Sequence, residues 1–286
     1  MVLHPPRRSR LQQARSVLIG TTKSQSHNGW QSQYALLSIV ITVLFTLIPG
    51  AFAQSSEDYP TRLKGTAEEL IGAEQASEFE PQLPRNAEIR WQVYVPDTYD
   101  PAKPAGLMIY ISPTRSGRIP RSWQRLMSEH NLIWLGADRN GNSVPVLRRM
   151  VTALLSEELG KREFSIDPDR VYLSGFSGGG RVISYVGAVF PERFQGGIYI
   201  AGVEHGNPGL QPKPAYYDNR HVVIIGQEDT AGDEVRTKFR SIVEAGAKHT
   251  LLLEPRNLGH NLPSANDFDT AIEFLDQREQ PTDATE

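Results

Sequence analysis

From Glu88 onward, short β-branched and aliphatic runs alternate with longer amphipathic stretches, and this alternation constrains the fold more than any other feature. The strand candidates are EIRWQVYV (88–95), LMIYIS (107–112), LIWLGA (132–137), VYLS (171–174), GIYIA (197–201), HVVIIG (221–226) and HTLLLE (249–254). Helical stretches fall near 120–130, 143–160, 178–190, 232–246 and 264–278. DPDRV, Asp167 to Val171, reads as a turn feeding the fourth strand. Several later strands are near-continuous apolar runs, as in a sheet covered on both faces. The pattern predicts an α/β domain over residues 86–279, with a mostly parallel central sheet, helices on both faces and right-handed crossovers. No internal repeat or second domain breaks it, and no insertion is long enough for a large lid.

The stretch VYLSGFSGGGRVIS, Val171 to Ser184, joins a strand to a helix through a glycine-rich turn. Such turns cradle phosphates or present a nucleophile. A dinucleotide loop needs Gly-x-Gly-x-x-Gly, and Ser177 stands where the middle glycine must be. A Walker A loop fails as well, because no Lys-Ser/Thr follows. Gly175-Phe176-Ser177-Gly178-Gly179 does satisfy Gly-x-Ser-x-Gly, the nucleophile elbow, whose flanking small residues let strand and helix pass closely. A tight turn with an idle serine is the plainer reading, and the strand-turn-helix context weighs against it.

A serine nucleophile requires a base and an acid to orient the base. Active sites of parallel sheets lie at the carboxyl ends of the strands. His4 and His27 lie in the leader, His130 precedes a strand, and His221 and His249 begin theirs. His205 follows a strand and reads as a cleft-lining or exposed loop residue. His260, in the loop after the last strand, is the expected base. The acid should fall between serine and histidine in chain order. Asp229, three residues beyond the strand end at Gly226, is the first choice, with Asp233, Glu228 and Glu204 as substitutes. The same acidic cluster suits a helix N-terminus, a role that Asp233 fits better. For the oxyanion hole, the expected N–H donors are Gly178 and Thr114, because Pro113 has no N–H. Asn140 or Asn142 could also line the cleft, although an Asn-Gly turn explains that segment better.

With these residues in place, the chain resembles the α/β-hydrolase superfamily. Within it, the likeness is to secreted esterases related to polyhydroxybutyrate depolymerases and feruloyl esterases. DPDRVYLSGFSGGG looks like that group's elbow region, GQEDTAGDEV its acid turn and LGHNLP its histidine loop. The resemblance implies Ser177 as nucleophile, Asp229 as acid, His260 as base and an oxyanion hole from Gly178 and the early loop, with no metal or organic cofactor. Where those relatives usually have His-Gly, this chain has Ser112-Pro113. The related depolymerases also commonly rely on cysteine bridges, and this chain has no cysteine, which weakens a polymer-degrading role.

The leader is a separate unit. Residues 1–53 hold Arg7, Arg8, Arg10, Arg15 and Lys23 and no acid, leaving 25 basic and 33 acidic side chains in the rest, a charge of about −8. The basic residues precede the apolar run Ala35–Ile48, Pro49-Gly50 and Ala51-Phe52-Ala53, which predicts a signal peptide cleaved after Ala53. This 14-residue, predominantly apolar run falls short of the roughly 20 that span a bilayer, so an anchor formed by residues 35–53 is the lesser alternative. The expected location is secreted or periplasmic, without stable membrane association after cleavage. Residues 54–85 read as a polar arm with one short helix at most, and 280–286 as a tail. The pI near 6.2 gives no hint of a nucleic-acid partner. The reading is an exported serine hydrolase of small-molecule or oligomeric esters. A short-peptide hydrolase and a non-catalytic binding protein of the same fold are the alternatives.

Overall fold

A computed structural model describes residues 59–206 and 211–277. The expected leader (1–53) and tail (280–286) lie outside the described residues. Eight strands form one sheet: β1 (Arg62–Gly65), β2 (Ile89–Tyr94), β3 (Ala105–Ile111), β4 (Leu132–Ala137), β5 (Ile166–Phe176), β6 (Gly196–Ile200), β7 (Arg220–Ile224) and β8 (His249–Leu253). Their spatial order is β1-β2-β4-β3-β5-β6-β7-β8. β2 runs antiparallel to both β1 and β4, and every other pairing is parallel. The longer helices are α4 (Val146–Glu163), α5 (Gly178–Val189), α6 (Gly232–Glu244) and α7 (Ala265–Asp276). Three short ones precede them in the chain: α1 (Ala67–Ile71), α2 (Ala73–Ser77) and α3 (Gln124–Glu129).

The central strands are apolar on both sides because both faces are covered. β3 and β4 are buried along their whole length. On one face Trp91 of β2 donates its indole N–H to Ser156 Oγ of α4 at 2.8 Å. On the other, Trp123 stacks on Phe268 of α7 with centroids 3.8 Å apart. This is the α/β-hydrolase fold. Among the described residues no helix is long and apolar enough to cross a membrane.

Two local expectations give way. The segment read as an arm contributes β1 and two short helices, and it buries Ala67, Ala76 and Leu83 in the core. β1 hides in the sequence because it is only four residues long and alternates Arg62 and Lys64 with smaller residues, as edge strands do to discourage further pairing. A capping box between Thr66 and Glu69 then starts α1. DPDRV is not a turn before the strand but part of β5. Asp169 N–H closes a local bond to Asp167 Oδ1 at 3.0 Å, and the register slips between Ala105–Ile166 and Leu107–Val171. The polar residues are thus absorbed as an irregularity at the exposed end of β5.

Candidate active site

Ser177 stands between the end of β5 and the first residue of α5. Its backbone takes φ 54° and ψ −122°, a left-handed conformation that costs a non-glycine residue on the order of 1–3 kcal/mol. Its N–H donates to Ile200 O at 2.7 Å, which holds the bend against β6. The glycines around it make room. A side chain at Gly179 would stand 1.9 Å from Ile111 O, and one at Gly180 2.1 Å from Gly202 O.

The structure brings together three of the sequence-derived residues. Ser177 Oγ lies 2.9 Å from His260 Nε2, and His260 Nδ1 lies 2.8 Å from Asp229 Oδ2. With Nδ1–H donating to the carboxylate, Nε2 is left to accept the serine proton. The Asp229 side chain is fully buried, whereas that of His260 is 44% exposed. Asp229 Oδ1 accepts Ala231 N–H at 2.8 Å, so both carboxylate oxygens are engaged. The two loops are laced together: Gln227 N–H donates to Pro255 O and Glu228 N–H to Leu258 O, at 3.1 and 3.0 Å. Gly226 permits the crossing, since a Cβ there would sit 1.9 Å from Leu258 O. Phe176 packs on the imidazole, centroids 5.1 Å apart.

The other acids face elsewhere. Asp233 is exposed in the first turn of α6 beside Arg236, and Glu204 pairs with Lys238 and Arg181. Glu228 is an exposed neighbour of Asp229 that contributes the backbone N–H just described. His205 places Nδ1 3.0 Å from Ser241 Oγ, and burial lowers its pKa.

Gly178 and Thr114, the two expected oxyanion donors, differ in what their N–H groups meet. Gly178, as the first residue of α5, has no intrahelical acceptor for its N–H. The N–H of Thr114 is engaged with Ser112 Oγ at 3.1 Å, so an oxyanion there would have to displace that bond. Beside Gly178 stands Asn142, whose amide atoms Oδ1 and Nδ2 lie 2.2 and 3.0 Å from where a Gly178 Cβ would be. Arg149 of α4 fixes this side chain. Its guanidinium, 3% exposed, donates to Asn142 Oδ1 at 3.3 Å, Asn140 O at 3.0 Å and Ser112 O at 3.0 Å. Burial pushes the Arg149 pKa down to about 10, which leaves it charged at neutral pH. Because a guanidinium only donates, it holds the Asn142 oxygen toward itself. Asn142 Nδ2 makes no hydrogen bond among the described residues. Sequence reasoning named Asn142 as a possible cleft residue but not Arg149, since an arginine in an amphipathic helix reads as solvent-facing.

No protein-family model matches the sequence, and no curated protein is similar enough to match it. Solved structures do match. A thermostable esterase is 18% identical at a TM-score of 0.50, covering 66% of this chain and 57% of its own. A candidate dipeptidyl aminopeptidase IV of Bacteroides ovatus is 17% identical at 0.53, covering 75% and 34%. S-formylglutathione hydrolase of Staphylococcus aureus is 12% identical at 0.50, covering 66% and 88%. This chain thus spans only about half and a third of the first two. These neighbours share the α/β-hydrolase fold with it, and at such identities the likeness extends to the fold alone.

Proposed function

We propose that this protein is a serine hydrolase of carboxylic esters working through an acyl-enzyme. The observation that carries the reading is the hydrogen-bonded chain Ser177 Oγ–His260 Nε2 and His260 Nδ1–Asp229 Oδ2 at 2.9 and 2.8 Å, headed by a serine in a strained turn. His260 takes the serine proton as Oγ attacks the ester carbonyl, and Asp229 stabilises the imidazolium that forms. The proton then passes to the leaving alcohol, and the acyl group stays on Ser177. Water deacylates it, with His260 again the base. In this reading the oxyanion is met by the Gly178 N–H and the Asn142 amide.

Preference for esters rests on the resemblance of the elbow, acid-turn and histidine-loop segments to secreted esterases related to polyhydroxybutyrate depolymerases and feruloyl esterases. Export belongs to the same proposal and rests on the basic leader, the apolar run and Ala51-Phe52-Ala53. A fluorophosphonate probe tests the central claim. It should label Ser177 in the folded protein and leave Ser177→Ala unlabelled. An unlabelled wild type would make the fold a non-catalytic binding module. Panels of acyl esters and short peptides, run with Ser177→Ala as control, separate esterase from peptidase. Amide cleavage without ester preference would reverse the assignment.

A further inference from the structure

One loop away from Ser177, a cleft of about 630 Å³ opens at the carboxyl-end edge of the parallel strands. Arg62, Lys64, Arg90, Arg115 and Arg139 line it, with Asp138 as its one acid among the described residues. This is a concentrated positive site on a chain whose residues 54–286 carry more acids than bases. Its construction explains the concentration. The register of β1 on β2 sets Arg62 opposite Gln92 and Lys64 opposite Arg90, so all four share the sheet face away from buried Trp91. The loops after β3 and β4 complete the cleft, joined where Arg139 N–H donates to Arg115 O at 2.6 Å.

Two carboxylates, Asp138 and Glu88, stand against these five cations, which leaves a net charge of about +3 among the described residues. Asp138 is occupied, with Oδ2 accepting from Gln92 Nε2 at 2.5 Å and Oδ1 from Gly117 N–H at 3.0 Å. Lys64 and Arg90 share Glu88, at 3.5 and 2.7 Å. Arg62, Arg115 and Arg139 form no ion pair with any described residue. Arg139 also holds φ 56°, a region where glycine or asparagine would sit at lower cost. The turn does not call for an arginine, so the guanidinium itself is the candidate reason for it.

We propose that this cleft binds carboxylate groups of the substrate away from the bond cleaved at Ser177, which makes the substrate class a multiply carboxylated, hydroxyl-rich ester of the acidic-oligosaccharide type. The substrate assignment rests on the hydrolase reading, whereas the binding does not. Guanidinium forks match carboxylates in bidentate geometry. Gln92 and Ser116 add polar groups suited to hydroxyls. Among the described residues no aromatic side chain lines the cleft to stack a nucleobase, and its one apolar residue, Leu63, is half-buried rather than exposed for insertion into a bilayer. The loops carrying Arg115 and Arg139 follow β3 and β4, the first and second strands over from β5, so the near edge of the cleft lies about 5–10 Å from the elbow across the sheet and its β2 and β1 wall about 14–19 Å. Arg139 is three residues from Asn142, so a bound anion and the reacting carbonyl would flank the same loop.

Calorimetry on the Ser177→Ala protein at low salt tests the site, with trigalacturonate as the carboxylated probe and maltotriose as its neutral counterpart. Trigalacturonate should bind and maltotriose should not. Arg115→Ala/Arg139→Ala should weaken binding by about tenfold or more, as loss of charged hydrogen bonds requires. Absence of trigalacturonate binding, or binding indifferent to that double variant, overturns the proposal. Arginine-dependent binding to phosphatidylglycerol vesicles with no affinity for the trisaccharide overturns it too, by making the cleft a lipid site. Hydrolysis of 4-nitrophenyl acetate, with the serine restored, should be the same with and without the two arginines. A protein that hydrolyses this ester but ignores trigalacturonate loses the cleft and keeps the hydrolase reading. One that binds trigalacturonate but resists the fluorophosphonate keeps the cleft as a binding site and loses the hydrolase reading.

Discussion

Asn142 separates what single residues disclose in sequence from what they disclose in place. The proximity of Ser177, Asp229 and His260 was legible because each follows a recognisable strand, and their chain order left few competitors. Asn142 carried no such signal, since Asn-Gly-Asn reads more readily as a turn. Its meaning depends on a contact with Gly178 across the sheet edge and on a guanidinium seven residues downstream. If Asn142 Nδ2 is the second oxyanion donor, Asn142→Ala should lower kcat by about 10²–10³ with KM nearly unchanged. Asn142→Asp should be no better, because it presents an acceptor where a donor is required. A kcat for Asn142→Ala within about twofold of wild type would return the role to the loop after β3, with Thr114 first in line.

At the scale of elements, the strands and helices from β2 to α7 follow from apolar periodicity, because packing on both faces leaves that pattern in the sequence. β1 and the polar end of β5 were not legible, since each depends on a partner strand rather than on its own composition. Arg149 shows how one helix side chain organises two loops. It gathers the ends of β3 and β4 through three acceptors, none of them a carboxylate. Arg149→Met would leave two buried carbonyls without donors and should destabilise the protein by about 2–4 kcal/mol in urea titrations. Its kcat should also fall, because Asn142 is no longer held. Arg149→Lys keeps the charge but cannot fork to all three acceptors, so it should recover only part of either loss. An Arg149→Met protein with wild-type kcat would uncouple this helix from the site. Gly226→Ala tests the opposite side of the cleft. Its Cβ would strike Leu258 O and push the histidine loop from Asp229, so kcat/KM should fall even where the protein remains folded by circular dichroism.

Across the whole molecule, two histidines remote from Ser177 set opposite limits on stability with pH. His130, between α3 and α7, is bonded to Asp269 at 2.6 Å and lies 3.6 Å from Asp276. The carboxylates of Asp276 and then Asp269 raise its pKa above 6.5. That contribution is fully present below about 6.5 and is lost as pH rises through the raised folded value. His221, buried in β7, donates Nε2–H to Tyr216 O at 2.7 Å and accepts the Tyr199 hydroxyl at Nδ1, at 3.1 Å. Burial pushes its pKa down to about 4. Between about 4 and 6.5 the unfolded chain therefore binds more protons at this residue than the folded one, and stability falls as pH falls. The shift corresponds to on the order of 3 kcal/mol over that window. His221→Gln stays neutral at every pH and keeps an N–H2 for Tyr216 O, so its stability should decline less than wild type between pH 6.5 and 4. His130→Gln should instead flatten the decline above pH 6.5 and leave the acid limb alone. Urea midpoints measured across both ranges separate the two effects. Parallel acid limbs for wild type and His221→Gln would show that burial does not hold His221 neutral.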